Sequence, residues 1–142
     1  MNGNAELLNF IYQNSQMGVE TIQQLMEIVK DDEFKKHLES QYHEYEEING
    51  KAQSLLNQHG YDEKGISSFT KIKSYLTINL QTITDKSTSH IAEMMVLGSN
   101  MGIINAIKNI KKYREAEEKI VNLMEDLLQF EENNIQQLKK FL

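Results

Sequence analysis

The stretch AELLNFIYQNSQMGVETIQQLMEIVK, residues 5–30, shows most clearly how this chain folds. Its apolar and small residues recur every three or four positions, which is the repeat of one face of an α-helix. The residues on that face are Leu8, Ile11, Ser15, Val19, Ile22, Met26 and Val29. The spacing predicts an amphipathic helix from Ala5 to Lys30 that buries this face against other helices.

Two more helices are predicted in the middle of the chain. The pair Asp31-Asp32 provides N-caps for a second helix, because a short carboxylate accepts hydrogen bonds from free backbone amides, and His59-Gly60 is expected to end it. The inner face of this helix carries Phe34, Leu38, Tyr42, Tyr45, Ile48, Ala52 and Leu56. A shorter third helix is expected from about Ser67 to about Asp85.

The fourth predicted helix, Thr88 to Lys112, is apolar around nearly its whole circumference. Its apolar residues are Ile91, Met94, Met95, Val96, Leu97, Met101, Ile103, Ile104, Ile107 and Ile110. Such a helix is typical of a protein interior, so we expect all its faces to be covered. The Gly98-x-x-x-Gly102 spacing is expected to let a neighbouring helix approach closely, within the chain or across a dimer. A membrane span is not expected, because no apolar run approaches the roughly 18 residues that it needs.

The charges near residue 113 predict a break between the fourth helix and a fifth. Basic residues favour the C-terminus of a helix and acidic residues favour its first turn. The basic residues are Lys108, Lys111 and Lys112, and the acidic ones are Glu115, Glu117 and Glu118. A single helix from Thr88 to Leu142 is the alternative.

The predicted fold is all-α. Four of the helices are roughly 25 residues long, or about 38 Å, and the third is shorter. This pattern is typical of a four-helix bundle of long antiparallel helices in which a short helical crossover joins the second and third core helices. One domain is expected to cover residues 1–142, a length that buries a substantial core.

The composition limits the classes of function. The absence of cysteine excludes disulfides, thiolate metal sites and cysteine nucleophiles. The net charge is −6 and Arg114 is the only arginine, which argues against nucleic-acid binding. No basic segment leads into an apolar run at the N-terminus, so we expect a cytoplasmic protein.

Several polar residues fall on faces that the pattern predicts to be buried. Glu131 lies in the middle of the apolar face of the fifth helix, and Asn134 follows on the same face. The other residues of this kind are Gln41 and Asn49 on the second helix, with Glu44 beside Gln41, and His90, Glu93 and Asn100 on the fourth. A buried carboxylate without partners costs several kcal/mol, so we expect Glu131 to be paired, protonated or bound to a cation.

A helical bundle with such a polar interior resembles the small ferritin-like proteins of bacteria, over nearly the whole chain. Members with two metal ions place one Glu on each of two helices and a Glu-x-x-His on each of two others. This sequence has no Glu-x-x-His. In its place stand Glu131-x-x-Asn134, Gln41-x-x-Glu44 and the reversed His90-x-x-Glu93. The metal pattern that the resemblance implies is therefore incomplete.

Two interpretations of the polar residues remain open. In one, they form a hydrogen-bonded layer that fixes the helix register and needs no cofactor. In the other, a hard divalent cation such as Mg²⁺ or Mn²⁺ binds oxygen ligands in the bundle core. The candidate ligands are Glu131, Glu44, Glu93 and His90, with Glu44, Asn100 and Glu131 expected at similar depth and Glu93 about 10 Å away.

The sequence favours a non-enzymatic bundle that acts through self-association, as a homo-oligomer, or through a protein partner. No catalytic constellation stands out, and the fourth helix has more apolar surface than one chain is expected to cover. The alternative is a degenerate ferritin-like protein that binds a divalent metal ion.

Overall fold

The chain forms α-helices wherever its apolar residues repeat at three and four positions. The computed structural model describes residues 2–62, 70–81 and 83–142, without the side chains of residues 70–72, 74, 75 and 78. The helices are α1 (Asn4–Met26), α2 (Asp32–Gln58), α3 (Thr70–Gln81), α4 (Thr88–Lys112) and α5 (Glu118–Leu138), followed by a 3₁₀ turn, Lys139–Phe141. No strand occurs in these three ranges. The prediction of an all-α protein is confirmed.

Local capping sets several helix ends where the sequence predicts them. The Asp31 carboxylate accepts a hydrogen bond of 2.7 Å from the Phe34 amide at the start of α2, and the Ser87 hydroxyl caps α4 in the same way. Gly60, with φ of +70°, follows the end of α2 in a conformation that other residues rarely adopt.

Two predicted helix ends differ from the structure. Helix α1 ends at Met26 instead of Lys30, because the next amides turn back to carbonyls three residues earlier, as in the 3.3 Å bond from Glu27 to Gln24. Helix α3 ends at Gln81 instead of Asp85. The predicted start of the third helix near Ser67 lies outside the described residues.

The predicted break between α4 and α5 is confirmed. Residues at the N-terminus of α1 pack against this break and bond to it. Tyr113 leaves the helical conformation with φ of −114° and ψ of 49°. Gly3, with φ of +85°, packs so closely on Tyr113 that a Cβ atom at Gly3 would lie 2.6 Å from the Tyr113 Cβ. The Asn4 side chain accepts a hydrogen bond of 2.8 Å from the Glu117 amide. The chain therefore turns where α1 begins.

Helices α1 and α2 run in opposite directions. Asn49 donates to the Tyr12 carbonyl and Gln23 donates to the Tyr42 hydroxyl, each over 3.1 Å. Residues later in α1 thus meet residues earlier in α2. A loop of five residues, 27–31, joins the two helices, as is usual for antiparallel neighbours.

Helix α5 runs parallel to α1, and α4 runs opposite to it. Asn4 bonds to Glu117 and Asn14 bonds to Glu131, so residue numbers increase in the same direction along α1 and α5. In α4 the order is reversed, since Gly3 faces Tyr113 and Asn14 faces Gly102. Helices α2 and α4 therefore run together, against α1 and α5.

The apolar core lies between α1, α2, α4 and α5. Its largest fully buried side chains are Leu7, Leu8, Phe10, Ile11, Ile22, Leu25, Phe34, Leu38, Leu56, Ile91 and Met94. Leu76 brings α3 against this core and packs over Gly98 of α4.

A single chain does not cover α4 on every side. Its inner face centres on Met95, Gly98 and Gly102, while Leu97 and Ile104 on the other side remain 46% and 54% exposed. Only one face of α4 meets the core, because the other helices all pack from that side. Among the described residues, no helix has the length and apolar content needed to cross a membrane.

Candidate functional site

Glu131 is the centre of a polar cluster in the bundle core. Glu131 is only 5% exposed. Oε1 accepts a hydrogen bond of 2.5 Å from the Tyr45 hydroxyl on α2 and one of 3.1 Å from Nδ2 of Asn14 on α1. The Ser99 side chain on α4 also hydrogen-bonds to it. One carboxyl group thus connects the four long helices.

Two glycines make the close approach of these helices possible. A Cβ atom at Gly18 would lie 2.7 Å from the ring of Tyr45, closer than packed carbon atoms approach. A Cβ atom at Gly102 would lie 3.2 Å from Oδ1 of Asn14. The Gly98-x-x-x-Gly102 spacing therefore serves contacts inside the chain, as one of its two sequence interpretations predicts.

Burial changes the acidity of both partners in the short hydrogen bond. Removal from water raises the pKa of Glu131, and the hydrogen bonds from Tyr45, Asn14 and Ser99 lower it less than burial raises it. Burial also raises the pKa of Tyr45 well above its ordinary value, and the Glu131 charge adds to that rise. The hydroxyl therefore remains the proton donor at neutral pH.

A pocket of about 50 Å³ adjoins the Glu131 carboxyl group. Its polar lining comes from Asn14, Thr21, Gln41, Tyr45, Ser99 and Glu131. The rest is apolar or lacks a side chain, with Met17, Ile22, Leu76 and Met95 beside glycines 18, 98 and 102. An apolar pocket with a few convergent polar groups is the usual form of a small-ligand site.

Gln41 and Asn134, predicted as polar core residues, are 3% and 4% exposed. The Gln41 Nε2 atom lies 2.6 Å from Nε2 of His37, one turn earlier in α2. The Asn134 Nδ2 atom is buried and has no hydrogen-bond partner among the described residues, although its amide lies near enough to the Tyr45 oxygen to lower the pKa of that hydroxyl.

The structure does not bring the other predicted site residues to this cluster. Glu44, Glu93 and Asn100 are exposed, and His90 is half-buried. The prediction of Asn100 as a core residue is wrong, because the inner face of α4 lies on the opposite side of that helix. In the described ranges, no three His, Asp or Glu side chains are grouped so that they could hold a metal ion.

Exposed residues on α4 form a second candidate surface, a continuous stripe that we call the α4 seam. It consists of Glu93, Leu97, Asn100, Ile104, Ile107 and Lys111. These positions follow one another at spacings of four and three residues, which is the seven-residue repeat of a coiled-coil contact. No ion pair joins Glu93 or Lys111 to another residue in the described part of the chain.

Sequence reasoning missed two partners of Glu131. Asn14 was not placed on the inner face of the first helix, although it shares a helical stripe with Leu7, Ile11 and Leu25, which are buried. This second stripe is the sequence signal that could have predicted the burial of Asn14. No sequence signal could have predicted the contact of Ser99, because it depends on the rotation of α4 about its axis.

Comparisons with known proteins leave the family open. No protein-family model, no curated protein and no solved structure matches this chain.

Proposed function

We propose that this protein is a non-enzymatic helical bundle that acts as a homodimer, in which α4 of one copy packs antiparallel on α4 of the other. The observation that carries the proposal is the symmetry of the α4 seam. The seam combines exposed apolar residues with opposite charges at its two ends, and these properties allow it to bind itself.

The apolar side chains of the seam supply the attraction. Leu97, Ile104 and Ile107 are 46%, 54% and 36% exposed, and they are three of the four large apolar side chains that stand out as exposed in the described structure. Burying such surface between two copies is favourable by about 25 cal/mol per Å² of apolar area. The seven-residue repeat keeps these side chains on one line, as a helix pair requires.

The order of the seam residues favours an antiparallel arrangement of the two helices. With a two-fold axis at the level of Gly102, Glu93 meets Lys111 of the second copy and Leu97 meets its Ile107. Asn100 then meets Ile104 of the second copy. A two-fold interface requires each pair to occur twice, and this sequence satisfies that requirement along the whole seam.

The charges oppose the parallel arrangement. In a parallel pair, Glu93 would lie beside Glu93 of the second copy, and Lys111 would lie beside Lys111 of the second copy. Like charges would then repel at both ends. In the antiparallel pair, each end has one acidic and one basic residue. A polar residue within an apolar seam, here Asn100, is also a known means of fixing register.

We also propose that the bundle has the ferritin-like arrangement. The support is the direction of the helices, with α2 and α4 running together against α1 and α5, and the position of α3 between α2 and α4 in the chain. A short crossover between the second and third core helices would produce this order.

Light scattering on the full chain at micromolar concentration tests the homodimer. We expect a mass of two chains for the wild type and of one chain for Ile104→Glu, because the substitution places a charge in the apolar part of the seam. Leu142→Glu is the matched control, since Leu142 is 56% exposed but lies off the seam. The proposal would be contradicted if the wild type had the mass of a single chain. It would also be contradicted if Ile104→Glu left the dimer intact.

A further inference from the structure

Among the described residues, the hydrogen-bond partners of the Glu131 carboxyl group are all neutral. Tyr45, Asn14 and Ser99 donate to it, and no cationic side chain is among the described groups that influence its pKa. A buried carboxylate is normally balanced by a positive charge, because three neutral donors replace only part of its hydration. Within the described part of the chain, Glu131 is therefore a buried acid without a counter-charge.

The pocket beside this acid has room for a small molecule. Its volume is about 50 Å³. Since one water molecule needs about 10–15 Å³ of such space, the pocket accommodates roughly three or four non-hydrogen atoms. Gly98 and Gly102 keep this space open, because neither places a side chain in it.

The walls of the pocket favour an apolar chain behind the charged group. Met17, Ile22, Leu76 and Met95 line it, and methionine adapts its shape to different ligands. Among the described residues of the lining, Glu131 carries the one acidic group, and the other polar side chains are neutral, namely Asn14, Thr21, Gln41, Tyr45 and Ser99. A cation that needs one carboxylate and one or two neutral acceptors suits this arrangement.

A divalent metal ion does not suit it. Hard divalent cations take six or more oxygen ligands, commonly from several carboxylates, whereas Glu131 is the only acidic residue among the described ones that line the pocket. A primary ammonium group has three donors and needs no more than three acceptors.

We propose that the Glu131 pocket binds a small alkylammonium ion, with the ammonium group on the Glu131 carboxylate and the hydrocarbon chain against Met17 and Met95. The hydrogen bonds from Asn14 and Tyr45 to Oε1 orient the carboxylate for this contact. The pocket lies on the inner side of α4 and the seam on its outer side. Ligand binding is therefore independent of the proposed homodimer.

Titration of the full chain with n-propylammonium chloride tests this site. A primary alkylamine is protonated at neutral pH, as lysine is, and 1-propanol has nearly the same shape without the charge. We expect saturable binding of propylammonium to the wild type, and binding of 1-propanol that is at least about tenfold weaker. Glu131→Gln should weaken propylammonium binding by about tenfold or more. Glu44→Gln, which removes an exposed acid from α2, should not.

Methyl NMR signals of methionine locate the ligand. The Met17 and Met95 signals should shift as propylammonium is added, while Met26, which does not line the pocket, should not. If Glu131→Gln fails to fold, the comparison of the two ligands on the wild type decides the question. The proposal is overturned by the absence of saturable binding, by equal binding of the alcohol, by an unchanged affinity in Glu131→Gln, or by shifts that omit both pocket methionines.

Discussion

The Tyr45 hydroxyl on α2 lies 2.5 Å from the Glu131 carboxyl group on α5. The two residues are 86 positions apart in the chain, and both are buried. Sliding either helix by one turn would break this buried hydrogen bond, and leaving the hydroxyl without it costs about 1–3 kcal/mol. The contact thus fixes the register of α2 against α5.

The stability of the protein should depend on pH through Glu131. Its pKa in the folded protein lies above the ordinary value of 4.5, so the folded state holds more protons than the unfolded state as the pH rises from 4.5. The free energy of unfolding therefore falls over that range, until the folded carboxyl group has also ionised.

Glu131→Gln should remove this dependence. We expect urea denaturation to show the variant gaining stability relative to the wild type between about pH 4.5 and pH 7. Glu44→Gln serves as the control and should change little, because Glu44 is exposed. A wild type that gains stability relative to Glu131→Gln as the pH rises would contradict a raised pKa of Glu131 in the folded protein.

The close contact between Gly18 and Tyr45 should make Gly18 intolerant of a side chain. In Gly18→Ala the new methyl group would lie 2.7 Å from the Tyr45 ring, which must then move from Glu131. We expect a loss of about 1–3 kcal/mol in the free energy of unfolding. Gly50→Ala is the matched control, since Gly50 lies in α2 with open space around its Cα. It should gain up to about 1 kcal/mol from helix propensity. Equal gains in both variants would show that the ring does not need that space.

The helix ends were predictable where the signal is local. The Asp31 cap of α2, the start of α4 at Thr88 and the charge change near residue 113 all act within one helical turn. The deep burial of Glu131 followed from helical periodicity, because its neighbours on the face are apolar.

The partners of Glu131 were not predictable in the same way. The contact between Asn14 and Glu131 joins residues 117 positions apart, and no local pattern encodes it. The exposure of one side of α4 was not predictable for a similar reason. The sequence pattern around an apolar residue such as Ile104 is the same whether a neighbouring helix of the same chain or a second copy covers it.

Charge reversal should test the pairing across the α4 seam. Glu93→Lys and Lys111→Glu should each weaken the homodimer, because each places like charges at both ends of the seam. The double variant should recover most of the lost affinity. Exposed ion pairs contribute about 0.2–1 kcal/mol each, so we expect changes of several-fold in the dimer dissociation constant, measured by sedimentation at low salt. Single variants that bind as tightly as the wild type would exclude these pairs.

The direction of the two α4 helices is the most direct test of the homodimer, and spin labels can measure it. The chain has no cysteine, so Ser89→Cys and Lys108→Cys each give one labelled site on the exposed side of α4, next to the seam. At a rise of 1.5 Å per residue, a two-fold axis at Gly102 places the labels of a dimer about 40 Å apart at position 89 and about 20 Å apart at position 108. For the antiparallel homodimer we expect this difference in dipolar distance. Equally short distances at both positions, or no dipolar coupling between copies, would contradict it.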